Sequence, residues 1–135
     1  MKKVILICTF VFLTGCLGEV TKGYITKNCT KRELINGDYI DTDIRIKSKE
    51  GKVENIIITE TYDKNMDMES IQYSKKSEKA MFEQTSGITL ELGNGIFTYN
   101  IDTKNASEIV KEKFKIYDEQ HKQIKYYEED GYKCK

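Results

Sequence analysis

The sequence predicts an α+β domain, in which an antiparallel sheet of about five strands carries a middle helix and a long C-terminal helix on one face. Two observations lead to this fold class. Residues 24–62 and 88–101 alternate apolar and polar side chains around short glycine turns, which is typical of antiparallel strands. Residues 103–130 instead place apolar side chains at steps of three and four, which is the spacing of one helix face.

The first three strands are predicted at residues 24–31, 39–47 and 53–62. Asn36 and Gly37 form a strong hairpin signal between the first two strands, because both central positions of a two-residue turn favour positive φ. The third segment is rich in isoleucine and threonine, which pleated sheets favour. Short turns join these segments, so we expect three adjacent antiparallel strands.

A middle helix and a second hairpin are predicted next. Residues 65–84 have a ragged helical pattern, and either Asn65 or Asp67 can cap its first turn. Residues 88–92 and 96–101 alternate on either side of a Gly-Asn-Gly turn. This glycine pattern predicts a hairpin and lacks the lysine and the following helix of a phosphate-binding loop.

One long charged helix is predicted over residues 103–130. Its apolar stripe consists of Val110, Phe114, Tyr117, His121 and Ile124. Gly131 follows in the position where helices commonly end. The polar composition of residues 118–122 leaves a break at that point open.

Composition excludes several classes of function. The chain has 135 residues, of which 39% are hydrophobic, and this length fits a single domain with a buried core. Its 22 basic and 22 acidic side chains give a net charge of zero, whereas nucleic-acid-binding proteins normally carry a basic excess. The single histidine argues against histidine-rich metal sites and against Ser–His or Cys–His catalysis. We therefore expect no nucleic-acid partner, no metal and no cofactor.

The first sixteen residues indicate export and lipidation. Two lysines precede an uncharged apolar run at residues 4–13, which is too short to span a bilayer and has the length of a signal-peptide core. The sequence Leu-Thr-Gly-Cys that ends at Cys16 resembles the lipobox of bacterial lipoproteins. That resemblance implies cleavage between Gly15 and Cys16 and a lipid thioether on Cys16. An ordinary secretory signal, or an uncleaved anchor, is the alternative.

These features predict the organisation and location of the protein. Residues 1–15 are a signal peptide, residues 16–23 are a lipidated tether, and residues 24–135 are one α+β domain. Two or three acyl chains anchor a protein durably, whereas a single chain does so marginally. We therefore expect a protein held on the extracytoplasmic face of the bacterial cell membrane by the lipid on Cys16.

Cys29 and Cys134 are the two cysteines left to the mature domain. An exported protein permits disulfides, and a bond between them would close a loop of about 105 residues, which stabilises by roughly 4–5 kcal/mol in the chain-entropy model. Two free thiols are the alternative. A redox or metal role is less favoured, because the chain has no C-x-x-C motif.

Two other candidate sites have simpler interpretations. His121 lies on the apolar stripe of the last predicted helix, which favours a packing or surface role over catalysis. The oxygen-bearing residues at positions 63, 65, 67 and 69 imitate a calcium loop. Met68 occupies the position of its glycine, and Ser74 that of its bidentate glutamate. Helix capping therefore explains these residues better.

The chain resembles the YehR-type family of small bacterial lipoproteins. The matching features are the lipobox at Cys16, the Gly-Lys-Val turn at residues 51–53, Ile101 and Asp102 before the last helix, and the closing Gly-Tyr-Lys-Cys at residues 131–134. The match covers nearly the whole chain. It implies an envelope location and an α+β fold, and it implies no reaction and no ligand.

The sequence favours a non-enzymatic envelope protein that binds a protein partner or a ligand at the membrane surface. The basis for this hypothesis is the predicted anchor, together with a sequence that shows no catalytic motif. One alternative is a small envelope enzyme, or an enzyme subunit, whose carboxylates come together only in the folded state. Another alternative is a purely structural or immunity-type surface protein.

Overall fold

The structure is a computed structural model that describes residues 23–135, and within them six strands form one antiparallel sheet, which three helices accompany. The strands are β1 (Tyr24–Ile35), β2 (Asp38–Lys49), β3 (Lys52–Tyr62), β4 (Ile88–Leu92), β5 (Ile96–Asp102) and β6 (Lys133–Cys134). The helices are α1 (Met68–Phe82), α2 (Glu108–Lys113) and α3 (Gln120–Glu129). The strand order across the sheet is β4-β5-β3-β2-β1-β6. The predicted α+β class and the antiparallel sheet are confirmed.

The turn predicted between the first two strands is confirmed. Asn36 and Gly37 have φ angles of 52° and 90°, and Ile35 pairs with Asp38 across them. Positive φ at both positions matches the twist of the flanking strands. β1 and β2 therefore stay paired over all 12 residues of each strand.

The sheet has an apolar inner face and a polar outer face, because alternate residues of a strand point to opposite sides. One cross-strand row of the inner face consists of Cys29, Ile44, Ile58, Tyr99 and Leu90. Every member of this row is at most 8% exposed. The core that these rows form also includes Phe82 of α1, Val110 of α2 and Tyr127 of α3.

α1 confirms the predicted middle helix and begins at one of its two predicted caps. The Asp67 carboxylate accepts a 3.2 Å hydrogen bond from the Ser70 backbone N–H and a 2.7 Å hydrogen bond from the Ser70 hydroxyl. The first of these contacts satisfies an amide group that a helix start leaves without a partner. The helix ends with Phe82 buried against the core.

The predicted long C-terminal helix is wrong, because residues 103–130 form the two short helices α2 and α3. The chain leaves α2 at Phe114, and Lys115 has a φ of 50°, which a continuing helix does not allow. The interruption covers residues 114–119, so it begins before the break that the sequence left open.

Contacts with α3 and with the start of β3 stabilise this interruption. The Gln123 side-chain amide accepts a 2.7 Å hydrogen bond from the Tyr117 N–H and donates a 3.2 Å hydrogen bond to the Lys115 carbonyl. The Asp118 carbonyl accepts a 2.8 Å hydrogen bond from the Val53 N–H at the start of β3. These contacts override the helical spacing of the sequence, since helix propensity is a weak preference that tertiary contacts overcome.

Candidate functional site

The predicted lipidation residue Cys16, and the predicted cleavage between Gly15 and Cys16, lie outside the described residues and stay predictions. The described chain enters the sheet at Tyr24, the first residue of β1, which lies beside the β2–β3 turn. We call this end of the sheet, which the predicted anchor would adjoin, the anchor end.

Cys29 and Cys134 face each other across β1 and β6. Their Cα atoms lie 4.0 Å apart, and their sulfur atoms lie 2.02 Å apart. Beside them, Asn28 and Lys135 exchange two backbone hydrogen bonds of 3.1 and 2.8 Å. The fold thus brings the two cysteines of the predicted disulfide to bonding distance.

A group of ionisable side chains lies between the inner face of the sheet and the helices, and we call it the ionic cluster. Its members are Glu60 and Tyr62 of β3, Lys75 and Glu78 of α1, Tyr99 of β5 and Lys113 of α2. Lys75 is at the centre and is only 8% exposed. Its ammonium group donates one hydrogen bond to the Glu60 carboxylate and another, of 2.5 Å, to the Tyr99 hydroxyl.

The hydrogen bonds of the ionic cluster continue on both sides of Lys75. The Tyr62 hydroxyl donates a 3.1 Å hydrogen bond to Glu60. The Tyr99 hydroxyl donates a 2.8 Å hydrogen bond to Glu78, and the Lys113 ammonium lies 2.9 Å from the same carboxylate. Each carboxylate therefore contacts an ammonium group, as charges removed from water require.

Aromatic rings surround the ammonium group of Lys75. It lies 4.9 Å from the ring centre of Tyr99, 5.5 Å from that of Phe97 and 5.6 Å from that of Tyr62, within the range of cation–π attraction. Burial, reinforced by the negative charge of Glu60, raises the pKa of both the Tyr62 and the Tyr99 hydroxyl. Both phenols therefore stay protonated at neutral pH and act as hydrogen-bond donors.

The ionic cluster is suited to holding α1 and α2 on the sheet. The carboxylates of Glu60 and Glu78 are engaged with lysine and tyrosine side chains. The Glu60 side chain is 24% exposed and that of Glu78 is 20% exposed. Acid–base catalysis instead needs a group within hydrogen-bond reach of a bound substrate. Two surface depressions of the described chain are both lined by residues outside the cluster.

Sequence reasoning missed the ionic cluster, although one of its residues leaves a signal. Glu60 follows Ile56 and Ile58 at a spacing of two, so it is a charge on the buried face of a strand. Lys75 and Glu78 leave no such signal, because they belong to a helix that is charged along most of its length.

The two surface depressions are open and largely charged. One of about 560 Å³ lies between α2 and the start of α3, where Glu112 and Asp118 are among the lining residues. The other, of about 450 Å³, lies beside β1. There Arg32 donates two 2.6 Å hydrogen bonds to Asp41, which hold the pKa of that carboxyl below its usual value.

The remaining residues that the sequence singled out have surface or capping roles. The His121 side chain is 75% exposed, and its Nε2 atom lies 3.4 Å from Glu119. Asp63 accepts a 3.0 Å hydrogen bond from the Asn65 N–H, and Asp67 caps α1. Within residues 23–135, no group of three or more His, Cys, Asp or Glu side chains is arranged to hold a metal.

The outer face of the sheet carries polar side chains, and no helix in the described part of the chain packs on it. Its central row consists of Asn28, Arg45, Ile57, Asn100 and Thr89. Neutral side chains bond across β3 and β5, with 2.7 Å between Asn55 Nδ2 and Asn100 Oδ1 and 3.5 Å between the hydroxyls of Thr59 and Thr98. This face exposes hydroxyl, amide and charged groups.

Comparison of the chain with protein-family models, with curated proteins and with solved structures gave no significant match. The resemblance to small bacterial lipoproteins therefore stays a prediction from the sequence. Among the helices of residues 23–135, none combines the length and the apolar character that a membrane span requires.

Proposed function

We propose that this protein is a lipid-anchored envelope protein that binds another envelope protein on the extracytoplasmic side of the bacterial cell membrane, without catalysing a reaction. The observation that carries this proposal is the polar outer face of the sheet, which the helices of the described chain leave uncovered. A rigid sheet that offers many polar groups on an open face suits binding, whereas small-molecule catalysis favours enclosed pockets.

The position of the predicted anchor supports this function. Cys16 and Tyr24 are eight residues apart, so a fully extended tether reaches about 28 Å from the membrane. Since Tyr24 begins β1, the anchor end of the sheet faces the lipid. The strands then rise away from the membrane, and the outer face stands open to other envelope proteins.

The ionic cluster supports a binding protein more than the alternative of an envelope enzyme. Such an enzyme would need carboxylates that are free to exchange protons with a substrate. Glu60 and Glu78 are instead engaged by Lys75 and Lys113. The same contacts stabilise the helices that cover the inner face, which leaves the outer face as the open side.

Crosslinking in living cells tests the proposed function. We expect the full-length protein to crosslink reproducibly to one envelope protein, and Cys16→Ser to lose both lipid labelling and that crosslink. Asn100→Arg places a long charged side chain on the outer face, so we expect it to reduce the crosslink. The matched control Ser77→Arg changes an exposed residue of α1 and should leave the crosslink intact.

The proposal is wrong if the wild-type protein captures no reproducible partner, or if Cys16→Ser is processed and lipidated like the wild type. It is also wrong if the purified protein turns over a substrate and loses that activity on mutation of Glu60 or Glu78.

A further inference from the structure

We propose that β4 binds the partner by strand addition: an extended segment of the partner pairs with the free edge of β4 and enlarges the sheet. This inference rests on the proposed function and specifies how the partner is held. Addition of a strand to an open sheet edge is a recurrent mode of peptide recognition, in which backbone hydrogen bonds supply affinity and alternate side chains supply specificity.

The hydrogen bonds of the β4–β5 hairpin show which backbone groups of β4 are free. The Gly93 N–H bonds to the Ile96 carbonyl, and the Asp102 N–H bonds to the Gly87 carbonyl. Residues 87, 89 and 91 and the Gly93 N–H therefore face β5, and the residues between them direct their backbone groups outward. Within residues 23–135, no hydrogen bond from outside the hairpin reaches the backbone of Ile88, Leu90 or Leu92.

The side chains around β4 define the chemistry of the segment that fits there. Ile88 and Leu90 are 5% and 3% exposed on the inner face, beneath α1, so inward residues of an added strand would continue an apolar layer. Thr89 and Glu91 are exposed on the outer face. We therefore infer an extended segment with apolar residues at alternate positions.

Two lysines on α1 favour a negative charge on the added strand. The Gln72 amide donates a 2.7 Å hydrogen bond to the Gly93 carbonyl, so this flank of α1 faces the β4–β5 turn. Lys76 and Lys79 follow on the same flank, one and two helical turns later. Among the described residues neither forms an ion pair closer than 4.0 Å. A carboxylate next to the apolar positions of the added strand would complement them.

The chain's own N-terminal segment cannot occupy this edge after the predicted cleavage. The described structure begins beside β1, which is four strand spacings, or about 19 Å, from β4. Residues 17–22 extend to about 21 Å at most. Crossing the sheet would use most of the roughly 25 Å that separates Gly23 from Cys16 and would leave too few residues to form a strand beside β4.

A second copy in the same membrane is also a poor occupant. Antiparallel pairing of two β4 strands about Leu90, with the inner faces aligned, inverts one copy relative to the other. Leu90 lies in the row of Cys29, five residues above Tyr24, so the inversion separates the two Tyr24 residues by about 34 Å along the strands. With the strands upright on the membrane, as the proposed function has them, this distance exceeds the reach of a tether of about 28 Å. The occupant is therefore a segment of a different protein.

A matched pair of variants tests the proposal in full-length, lipidated protein in living cells. Leu92→Pro removes an outward N–H and places its ring on the free edge, whereas Leu92→Ala loses the same side chain and keeps the N–H. With a photo-crosslinking benzoylphenylalanine at position 89, we expect Leu92→Pro to lower the yield of crosslinked partner about tenfold or more relative to Leu92→Ala. Circular dichroism of both purified variants shows whether each keeps its fold.

Mapping of the crosslinked peptide completes the test. The proposal expects the label to join one partner segment with alternating apolar residues. It is overturned if the label joins a second copy of this chain or lipid alone, or if folded Leu92→Pro and Leu92→Ala capture the partner equally. Capture that depends on Asn100 and not on the Leu92 pair would preserve the proposed function while overturning strand addition. If the wild-type protein captures no partner, both proposals fail.

If Leu92→Pro fails to fold, amide hydrogen exchange of the wild-type protein tests strand addition instead. The amide hydrogens of Leu90 and Leu92 must then gain protection when the mapped partner segment is added as a synthetic peptide, and unchanged exchange overturns the proposal.

Discussion

The two edges of the sheet differ in whether another segment of the described chain pairs with them. Along β1, the C-terminal residues return as β6, pair with Cys29 and Thr30, and bring Cys134 to bonding distance of Cys29. Along β4, no described residue pairs with the outward backbone groups. Proteins usually cover or charge a sheet edge because a bare edge pairs with other chains. The C-terminal segment covers residues 28–30 in the middle of β1, whereas within residues 23–135 the outward groups of β4 have no paired strand at any position. This contrast is the reason for proposing β4 as the edge that a partner binds.

Loss of the cysteine pair should loosen the pairing of β6 with β1, and we expect it to have the largest effect on stability. We expect replacement of both Cys29 and Cys134 by alanine to lower the free energy of unfolding by about 2–5 kcal/mol, since removal of a disulfide frees the unfolded chain. Denaturant titration with and without a reductant measures this. A reductant should lower the stability of the wild type and leave the double variant unchanged. Equal stability of all samples would show that the two thiols are not bonded.

A glycine substitution tests how firmly the β4 side is packed. Gly87 precedes β4 with a φ of +77°, and a Cβ atom there would lie 2.3 Å from the backbone of Ala106. Gly37 in the β1–β2 turn has a φ of +90° and no neighbour within 4 Å of such an atom. We expect Gly87→Ala to cost about 3–4 kcal/mol and Gly37→Ala about 1 kcal/mol. Thermal or denaturant unfolding compares them, and equal losses would contradict the close packing before β4.

Removal of two tyrosine hydroxyls compares two helices, α1 and α3, that pack on the same inner face of the sheet. The Tyr99 hydroxyl bonds to Lys75 and Glu78 beneath α1, whereas the buried Tyr127 hydroxyl of α3 has no hydrogen-bond partner among the described residues. We expect Tyr99→Phe to lower the free energy of unfolding by about 2 kcal/mol, and Tyr127→Phe to change it by less than about 0.5 kcal/mol. Urea titrations at neutral pH measure both. A larger loss for Tyr127→Phe would reverse our assignment of the polar contacts.

Alkaline pH should weaken the fold through the same tyrosines. Burial raises the pKa of Tyr99 and Tyr127 above the ordinary value of 10.0, so the unfolded chain loses these protons first. This contribution is fully present below pH 10 and is lost as pH rises above it, by up to about 1.4 kcal/mol per pH unit for each tyrosine. Either phenylalanine variant should flatten the decline, while only Tyr99→Phe also lowers stability at neutral pH. An unchanged slope in both variants would contradict the assignment.

Local chemistry explains what could be predicted from the sequence. Asn36 and Gly37 identify a turn because their backbone preferences do not depend on distant residues. Asp67 likewise identifies the start of α1 through a bond to a residue three positions away. The apolar pattern failed to predict the end of α2, because contacts with other elements determine where that helix stops. Gln123 and Val53 stabilise the interruption between α2 and α3, and neither contact is visible in the spacing of apolar residues.

The candidate sites divide in the same way. The lipobox at Cys16 is a contiguous pattern and could be proposed from sequence alone. The ionic cluster forms only when β3, β5, α1 and α2 come together. In the sequence, Glu60 alone indicates it, as a charge on the buried face of a strand. Within residues 23–135, the free edge of β4 is a property of strand order, because the hairpin pattern of residues 88–101 does not show which strand will lie at the edge. Strand order depends on how the whole chain packs.

Amide hydrogen exchange of the free protein, resolved by residue with NMR, tests the contrast between the two edges most directly. We predict that Thr89 and Glu91 exchange slowly while Leu90 and Leu92 exchange quickly, because only the first pair donates its N–H groups to β5. On the opposite edge, Asn28 should exchange slowly, since its N–H bonds to the Lys135 carbonyl of the C-terminal segment. Leu90 and Leu92 as protected as Thr89 and Glu91 would contradict the account, because the edge of β4 would then already be covered.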